Sequence, residues 1–472
     1  MKTYKKSLIA IIGLIALTIS ALALIGPGVS TSGPTTVPVK AGDGLLTLNT
    51  QLVQDKVLQG SQGQVGVAVT LAAADLPQAA DRPKQAMDLV IVLDRSGSMQ
   101  GAKLESARQA VHQLLQRLGP SDRLALVTYE TSVQLMAPLT AVSEVNRGRL
   151  AAIINQVYVD GSTNLGGGLQ QGIDLLLRAA DEGRQRKLIL ISDGLANQGI
   201  TDPQTLGRMA AAATDHHFAV STVGVGLDFN ELLMTTIADQ GTGRYYFLEN
   251  PVAFAQVFEK EFQNARQVAA SEVQIRIPLA KGVRLVEAGG YPIKMEGEQA
   301  VIFPGSLVSG GQRKLFLTFQ VPTDAERSIS LGQIQVRYQH DGLNQTLQSQ
   351  DMLTVACIRD EKAVVASMDK ETWGQQVIQD EYSRLKEEVA DAVRKGDAQA
   401  AQATIQAYET KNRALNAGVG SAAVSEHLEK DVKVLRQSVS DTFAGPPAAV
   451  AEKQKKQSKA LQYEGYEQRR GK

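Results

Sequence analysis

Residues 87–99, MDLVIVLDRSGSM, join a continuous apolar segment to a short turn that carries two hydroxyl side chains. The apolar part, Leu89–Leu93, shows no alternation with polar residues, a pattern typical of a strand buried on both faces. Comparable runs recur at Leu124–Tyr129, Leu188–Ile191 and Ala219–Val225. We therefore predict a mostly parallel sheet that is covered by helices on both sides.

Two segments between these strands have the spacing of amphipathic helices. Their apolar positions are Leu104, Ala107, Val111, Leu114, Leu115 and Leu118 in the first, and Leu165, Leu169, Ile173, Leu176 and Leu177 in the second. Strands that alternate with helices in this way predict right-handed crossover connections. The predicted fold over residues 85–269 is a doubly wound, Rossmann-like α/β domain.

The turn after the first strand places Asp94, Ser96 and Ser98 at positions i, i+2 and i+4. In doubly wound sheets, ligands bind just outside the carboxyl ends of the strands. Three oxygen donors at that place suit a hard cation. The pattern alone also fits a helix-capping turn, because Asp and Ser both cap helices well.

Two further segments place polar side chains at the same edge of the predicted sheet. Thr163 precedes a glycine-rich helix start, and Asp193 follows the apolar run that ends at Ile191. We expect the Thr163 hydroxyl and the Asp193 carboxylate to converge on Ser96 and Ser98.

The order and spacing of these segments resemble the von Willebrand factor A (VWA) family over about residues 87–269, and Met99 after the turn is common in exported bacterial members. The resemblance implies an intact metal-ion-dependent adhesion site that holds Mg²⁺, with Mn²⁺ or Ca²⁺ as alternatives. Ser96 and Ser98 would bind the ion directly, Thr163 directly or through water, and Asp94 and Asp193 mainly through water. Ser162 stands where the family often has glycine, which removes no ligand.

The N-terminus predicts export. Lys2, Lys5 and Lys6 precede an apolar run from Leu8 to Ile25, as in a signal peptide. The run is also long enough to span a bilayer if it is not cleaved, so residues 1–28 are either a signal peptide or an N-terminal membrane anchor. We expect the protein in the periplasm, at the cell surface or secreted.

The remaining chain suggests three more parts besides a Ser-, Thr- and Pro-rich linker at 29–43. Period-two alternation predicts an antiparallel β-sandwich at 270–358, which the strands of 44–84 would complete around the inserted α/β domain. Residues 359–443 are predicted to form a helical domain, which either packs on the body or forms an oligomerising coiled coil. Residues 444–472 are predicted to be a disordered tail. This layout loosely resembles inter-alpha-trypsin inhibitor heavy chains.

Composition narrows the function. The 49 basic and 49 acidic residues give a net charge of zero, which provides no global field to attract nucleic acid. The single cysteine cannot form an internal disulfide. The sequence shows no arrangement of residues typical of a catalytic site, so we expect that the protein is not an enzyme and has no catalytic residues. We predict a module that binds a protein or surface ligand offering a carboxylate to the metal. The alternative is a metal-dependent assembly or chaperone-like subunit that docks onto an enzyme complex.

Overall fold

The computed structural model describes residues 39–76, 86–179, 184–194, 196–214, 216, 218–227, 229–248, 268–350 and 352–470. The predicted signal or anchor segment, residues 1–28, lies outside the described residues. Within those ranges, no helix is long and apolar enough to cross a membrane.

The strands are, in chain order, β1 (Val39–Gly42), β2 (Leu46–Leu52), β3 (Lys56–Leu58), β4 (Gln64–Ala73), β5 (Met87–Asp94), β6 (Arg123–Tyr129), β7 (Val133–Ala141), β8 (Gln185–Ser192), β9 (Ala219–Val225), β10 (Thr242–Leu248), β11 (Val268–Pro278), β12 (Arg284–Ala288), β13 (Ile293–Glu296), β14 (Gln299–Ile302), β15 (Leu307–Val308), β16 (Gln312–Gln320), β17 (Arg327–Gly332), β18 (Gln335–His340), β19 (Leu343–Gln348) and β20 (Leu353–Ile358).

The helices are α1 (Ala102–Arg117), α2 (Glu144–Asn155), α3 (Leu165–Arg178), α4 (Pro203–Thr214), α5 (Glu231–Gln240), α6 (Glu361–Ala366), α7 (Lys370–Gln375), α8 (Tyr382–Arg394), α9 (Ala398–Val419), α10 (Ala422–Thr442) and α11 (Pro447–Arg469). A 3-10 turn at Gly97–Met99 follows β5, and a π-helical turn at Gln376–Glu381 joins α7 to α8.

The α/β domain is built on a six-stranded sheet in the order β10-β9-β8-β5-β6-β7. Its strands are parallel except β7, which pairs antiparallel with β6 at the edge. Every residue of β5 is buried. Leu89, Ile91 and Leu93 pack under α1 and α2 on one face, and Val90 and Val92 pack under α3, α4 and α5 on the other. The predicted doubly wound fold is confirmed, since β5 lies at the centre of a sheet with helices on both faces.

Two antiparallel sheets face each other across an apolar core of their own. Their strand orders are β1-β2-β4-β16-β12 and β13-β14-β11-β18-β19. In the first sheet, β4 pairs with β16 from Gln64 opposite Gln320 to Ala72 opposite Gln312. The strands before and after the α/β domain therefore share one sheet, and the α/β domain is an insertion between them in the chain. β1 lies within residues 29–43, which were predicted to form a linker. Its backbone pairs with that of β2, although its sequence has no strand periodicity.

The C-terminal helices share a separate core that includes Trp373, Val389, Ile405 and Val432. The prediction of a disordered tail at 444–472 was wrong, because α11 occupies 447–469. This helix is short of apolar residues, but Leu461 and Tyr466 are buried. Two of its basic side chains, Lys459 and Arg469, form ion pairs with Glu231 and Glu387 of the folded body.

Candidate metal centre

Asp94, the last residue of β5, organises the turn that follows it. Its Oδ1 accepts a hydrogen bond from the backbone N–H of Ser96 at 2.8 Å, which is a local Asx turn. The N–H of Met99 donates to the carbonyl of Ser96 at 2.9 Å and closes the 3-10 turn. Met99 is buried in the α/β core, and this anchors the turn while Ser98 remains exposed.

The second carboxylate oxygen of Asp94 connects the ends of β5, β6 and β8 through hydrogen bonds. Oδ2 accepts hydrogen bonds from the Ser192 hydroxyl of β8 at 2.6 Å and from the Tyr129 hydroxyl of β6 at 3.2 Å. Burial raises the pKa of Asp94, and the hydrogen bonds from Ser192 and Ser96 oppose this effect. Because both oxygens have partners within the protein, Asp94 is suited to hold ligands in place and to contact a cation through water.

The two serine hydroxyls lie together at the mouth of the turn. Ser96 Oγ and Ser98 Oγ are 3.1 Å apart. Two oxygens that bind an octahedral Mg²⁺ at about 2.1 Å, at right angles, lie about 3.0 Å apart. The two hydroxyls form a hydrogen bond with each other at this separation, which also matches the spacing of neighbouring ligands on one small cation.

The backbone of Thr163 is held between the β5 turn and the β8 turn. The Gly97 N–H donates to the carbonyl of Gly161 at 3.2 Å, which joins the first turn to the loop before α3. The Thr163 N–H donates to Asn197 Oδ1 at 2.8 Å, which joins that loop to the residues after β8. Thr163 is almost fully buried at this edge of the sheet, where the sequence predicted it.

Asp193 follows β8 and has a fully buried side chain. Its Oδ2 forms an ion pair with Lys103 Nζ at 3.0 Å, whereas its Oδ1 has no hydrogen-bond partner among the described residues. A buried oxygen without a partner is costly unless a cation or water completes it. Lys103 was not predicted from the sequence.

A second ion pair that the sequence did not predict supports the loop. Arg95 Nη2 lies 3.2 Å from Glu130 Oε1, and both side chains are nearly buried. Gly161 has a φ of +58°, and a Cβ there would lie 2.2 Å from Glu130 Oε2. Glycine is thus required where the loop before α3 crosses Glu130.

The five residues predicted for the site offer three hydroxyls and two carboxylates, from Ser96, Ser98 and Thr163 and from Asp94 and Asp193. Among the described residues, no group of three or more His, Cys, Asp or Glu side chains is placed to hold a metal. Hydroxyl and carboxylate oxygens are hard donors that suit Mg²⁺ better than zinc or copper. The donor chemistry, the serine spacing and the unpartnered Asp193 oxygen all fit the ion that the VWA resemblance implies.

Comparison with known proteins places the α/β domain in a family. An uncharacterized protein of Synechocystis sp. is 26% identical over 296 residues, which cover 61% of this chain and 68% of that protein. The inter-alpha-trypsin inhibitor heavy chain H1 of Sus scrofa is 29% identical over 204 residues, 42% of this chain and 22% of the heavy chain. The matched part is thus a minor fraction of the heavy chain's length.

One solved structure has the same fold over almost the whole chain. A von Willebrand factor type A protein from Catenulispora acidiphila superposes with a TM-score of 0.64 at 17% identity, covering 92% of this chain and 97% of that one. Residues 88–260 match the family model of the von Willebrand factor type A domain. The insertion between the two halves of the β-sandwich is therefore a von Willebrand factor type A domain.

Proposed function

We propose that this protein is a binding module that recognises a protein or surface ligand through a divalent cation. The single observation that carries the proposal is the 3.1 Å separation of Ser96 Oγ and Ser98 Oγ at the carboxyl edge of the sheet. Ser96 and Ser98 would hold the ion directly, Thr163 directly or through water, and Asp94 and Asp193 through water. When bound, the ion would supply an electrophilic position for a carboxylate of the partner.

The protein's own residues prepare that position. Asp94 holds the turn that presents both serines. Hydrogen bonds from Ser192 and Tyr129 fix the orientation of its buried carboxylate. Ser98 is exposed, so a partner can reach the ion without unfolding the edge of the sheet. No acid–base or nucleophilic group is needed for this task, and we propose a binding role without catalysis.

We further propose that binding takes place outside the cytoplasm. The basic N-terminus and the apolar run from Leu8 to Ile25 support export. Fractionation of native cells, followed by N-terminal sequencing of the mature protein, tests this proposal. Recovery of the protein only in the cytoplasmic fraction would contradict it.

Affinity capture from the native extracytoplasmic fraction tests the binding role. The wild type is used with and without EDTA, beside the Ser98→Ala variant. The matched control is Gln100→Ala, which also truncates an exposed side chain of this turn but removes no proposed ligand. We expect partners on the wild type and on the control, with loss in EDTA and on Ser98→Ala. Partners retained equally in every condition would contradict a metal-bridged contact.

A further inference from the structure

Lys103 places a protein cation beside one of the two carboxylates of the candidate metal centre. Its Nζ lies 3.0 Å from Asp193 Oδ2; the Asp193 side chain is fully buried, and that of Lys103 is one quarter exposed. A carboxylate that the VWA resemblance assigns to the metal is therefore already neutralised by the chain itself.

Lys103 lies at the N-terminal end of its helix, where a positive charge is unfavourable. Lys103 is the second residue of α1, at the end where the helix dipole is positive and where acidic residues such as Glu105 are favoured. Helix electrostatics therefore disfavour a lysine at this position. The ion pair with Asp193 compensates for this unfavourable placement.

A glycine makes room for the lysine side chain. Gly226, in the loop after β9, has a φ of +81°, and a Cβ there would lie 2.8 Å from Lys103 Cε. The aliphatic part of Lys103 thus packs over the bare backbone of this loop. Together with the ion pair, this contact fixes the path of the side chain toward Asp193.

The two oxygens of Asp193 have different surroundings. Oδ2 is paired with Lys103, and Oδ1 is buried without a hydrogen-bond partner among the residues that the structure describes. The ammonium group therefore leaves Oδ1 as the oxygen available to a cation or to its bound water.

We propose that Lys103 is a positioning residue that orients Asp193 and sets the charge of the metal centre. The proposal rests on the proposed function. A divalent ion with two carboxylates forms a neutral site, and Lys103 adds one positive unit. This charge lowers the affinity of the site for the metal ion. It also strengthens the attraction between the metal-loaded site and an anionic group of the partner.

Calorimetric titration of the full chain with Mn²⁺ alone tests the proposal. The variants are Lys103→Met, which keeps the length of the side chain and removes the charge, and Lys103→Arg, which keeps the charge. We expect Lys103→Met to bind Mn²⁺ about tenfold more tightly at low ionic strength, with a smaller difference at high salt, because a charge within a few ångströms repels the ion. Lys103→Arg should bind like the wild type.

An affinity of Lys103→Met equal to or weaker than that of the wild type would overturn the proposal. Lys103→Gln provides a second neutral variant if Lys103→Met does not fold, and the same increase is expected of it. A wild type that binds no Mn²⁺ would overturn both this proposal and the proposed function. A wild type that binds Mn²⁺ with an affinity that neither neutral variant increases would overturn this proposal alone.

Discussion

The hydroxyl of Ser192 donates to Asp94 Oδ2 at 2.6 Å across the ends of β8 and β5. The same hydroxyl oxygen accepts the N–H of Gly194 at 2.8 Å. One serine thus links the turn that carries Ser96 and Ser98 to the turn that carries Asp193. This link makes the edge of the sheet a single preorganised unit.

Ser192→Ala should destabilise the protein, because it leaves Asp94 with one donor fewer and a buried N–H without its acceptor. We expect the free energy of unfolding to fall by about 1–3 kcal/mol in urea denaturation. Ser98→Ala is the matched control, since its exposed hydroxyl bonds to Ser96 and to no other described residue, and its effect should stay within about 0.5 kcal/mol. Equal losses for the two variants would contradict a special role for Ser192.

Gly168→Ala should destabilise the contact between α3 and β6. A Cβ at Gly168 would lie 2.4 Å from Cδ1 of Tyr129, whose ring is fully buried and whose hydroxyl is hydrogen-bonded to Asp94. Overpacking of this kind costs about 1–3 kcal/mol. The control is Gly148→Ala in α2, where a Cβ meets no atom within 4 Å and alanine should stabilise the helix by about 0.5–1 kcal/mol. Thermal unfolding should therefore shift in opposite directions for the two variants.

Removing Lys459 should loosen α11 from the VWA domain. Lys459 Nζ lies 2.6 Å from Glu231 Oε1, and both side chains are about 5% exposed or less. Lys459→Met would leave a buried carboxylate without its main partner, at a cost of about 3–5 kcal/mol. The double variant Lys459→Met/Glu231→Leu should recover part of this loss in denaturant titrations.

The exposed pair of Lys456 with Glu452 on the same helix provides the comparison. Lys456→Met should change stability by less than about 1 kcal/mol, since exposed ion pairs contribute little. A Lys459→Met variant as stable as Lys456→Met would show that the buried pair does not hold the helix.

The stability of the VWA domain should depend on pH through Glu130. The Ser132 hydroxyl, with Thr131, lowers the pKa of Glu130 from its ordinary 4.5 to about 2, although burial opposes this shift. The ionised carboxylate therefore stabilises the fold above about pH 4.5, and this stabilisation is lost as the pH falls toward 2. Glu130→Gln should be less stable than the wild type at pH 7, with a difference that narrows between about pH 5 and 2. A difference that does not change with pH would contradict this account.

The sequence was sufficient to predict the α/β fold, because a strand that is buried on both faces, such as β5, has an uninterrupted run of apolar residues. Leu89–Leu93 contains no polar residue, and its alternate side chains enter two different cores. The Asp-x-Ser-x-Ser turn was equally visible, since its three polar side chains lie within five residues of one another.

Long-range ion pairs could not be predicted in the same way. Lys103 and Asp193 are 90 residues apart, and Lys459 lies 230 residues from the backbone it contacts at Phe229. Hydrophobic periodicity gives no information on such pairs. The two prolines Pro446 and Pro447 and the excess of basic side chains after them therefore suggested a disordered tail. For Lys103 one signal was available, because a lysine in the first turn of a helix opposes the helix dipole.

Calorimetric titration with Mg²⁺ tests the central claim most directly. The wild type is compared with Ser98→Ala and with Gln100→Ala after treatment with a chelator. We expect the wild type and Gln100→Ala to bind one equivalent of Mg²⁺, and Ser98→Ala to bind at least about tenfold more weakly while keeping its fold. A wild type that binds no Mg²⁺, or a Ser98→Ala variant that binds it as tightly as the wild type, would contradict the assignment of this metal centre.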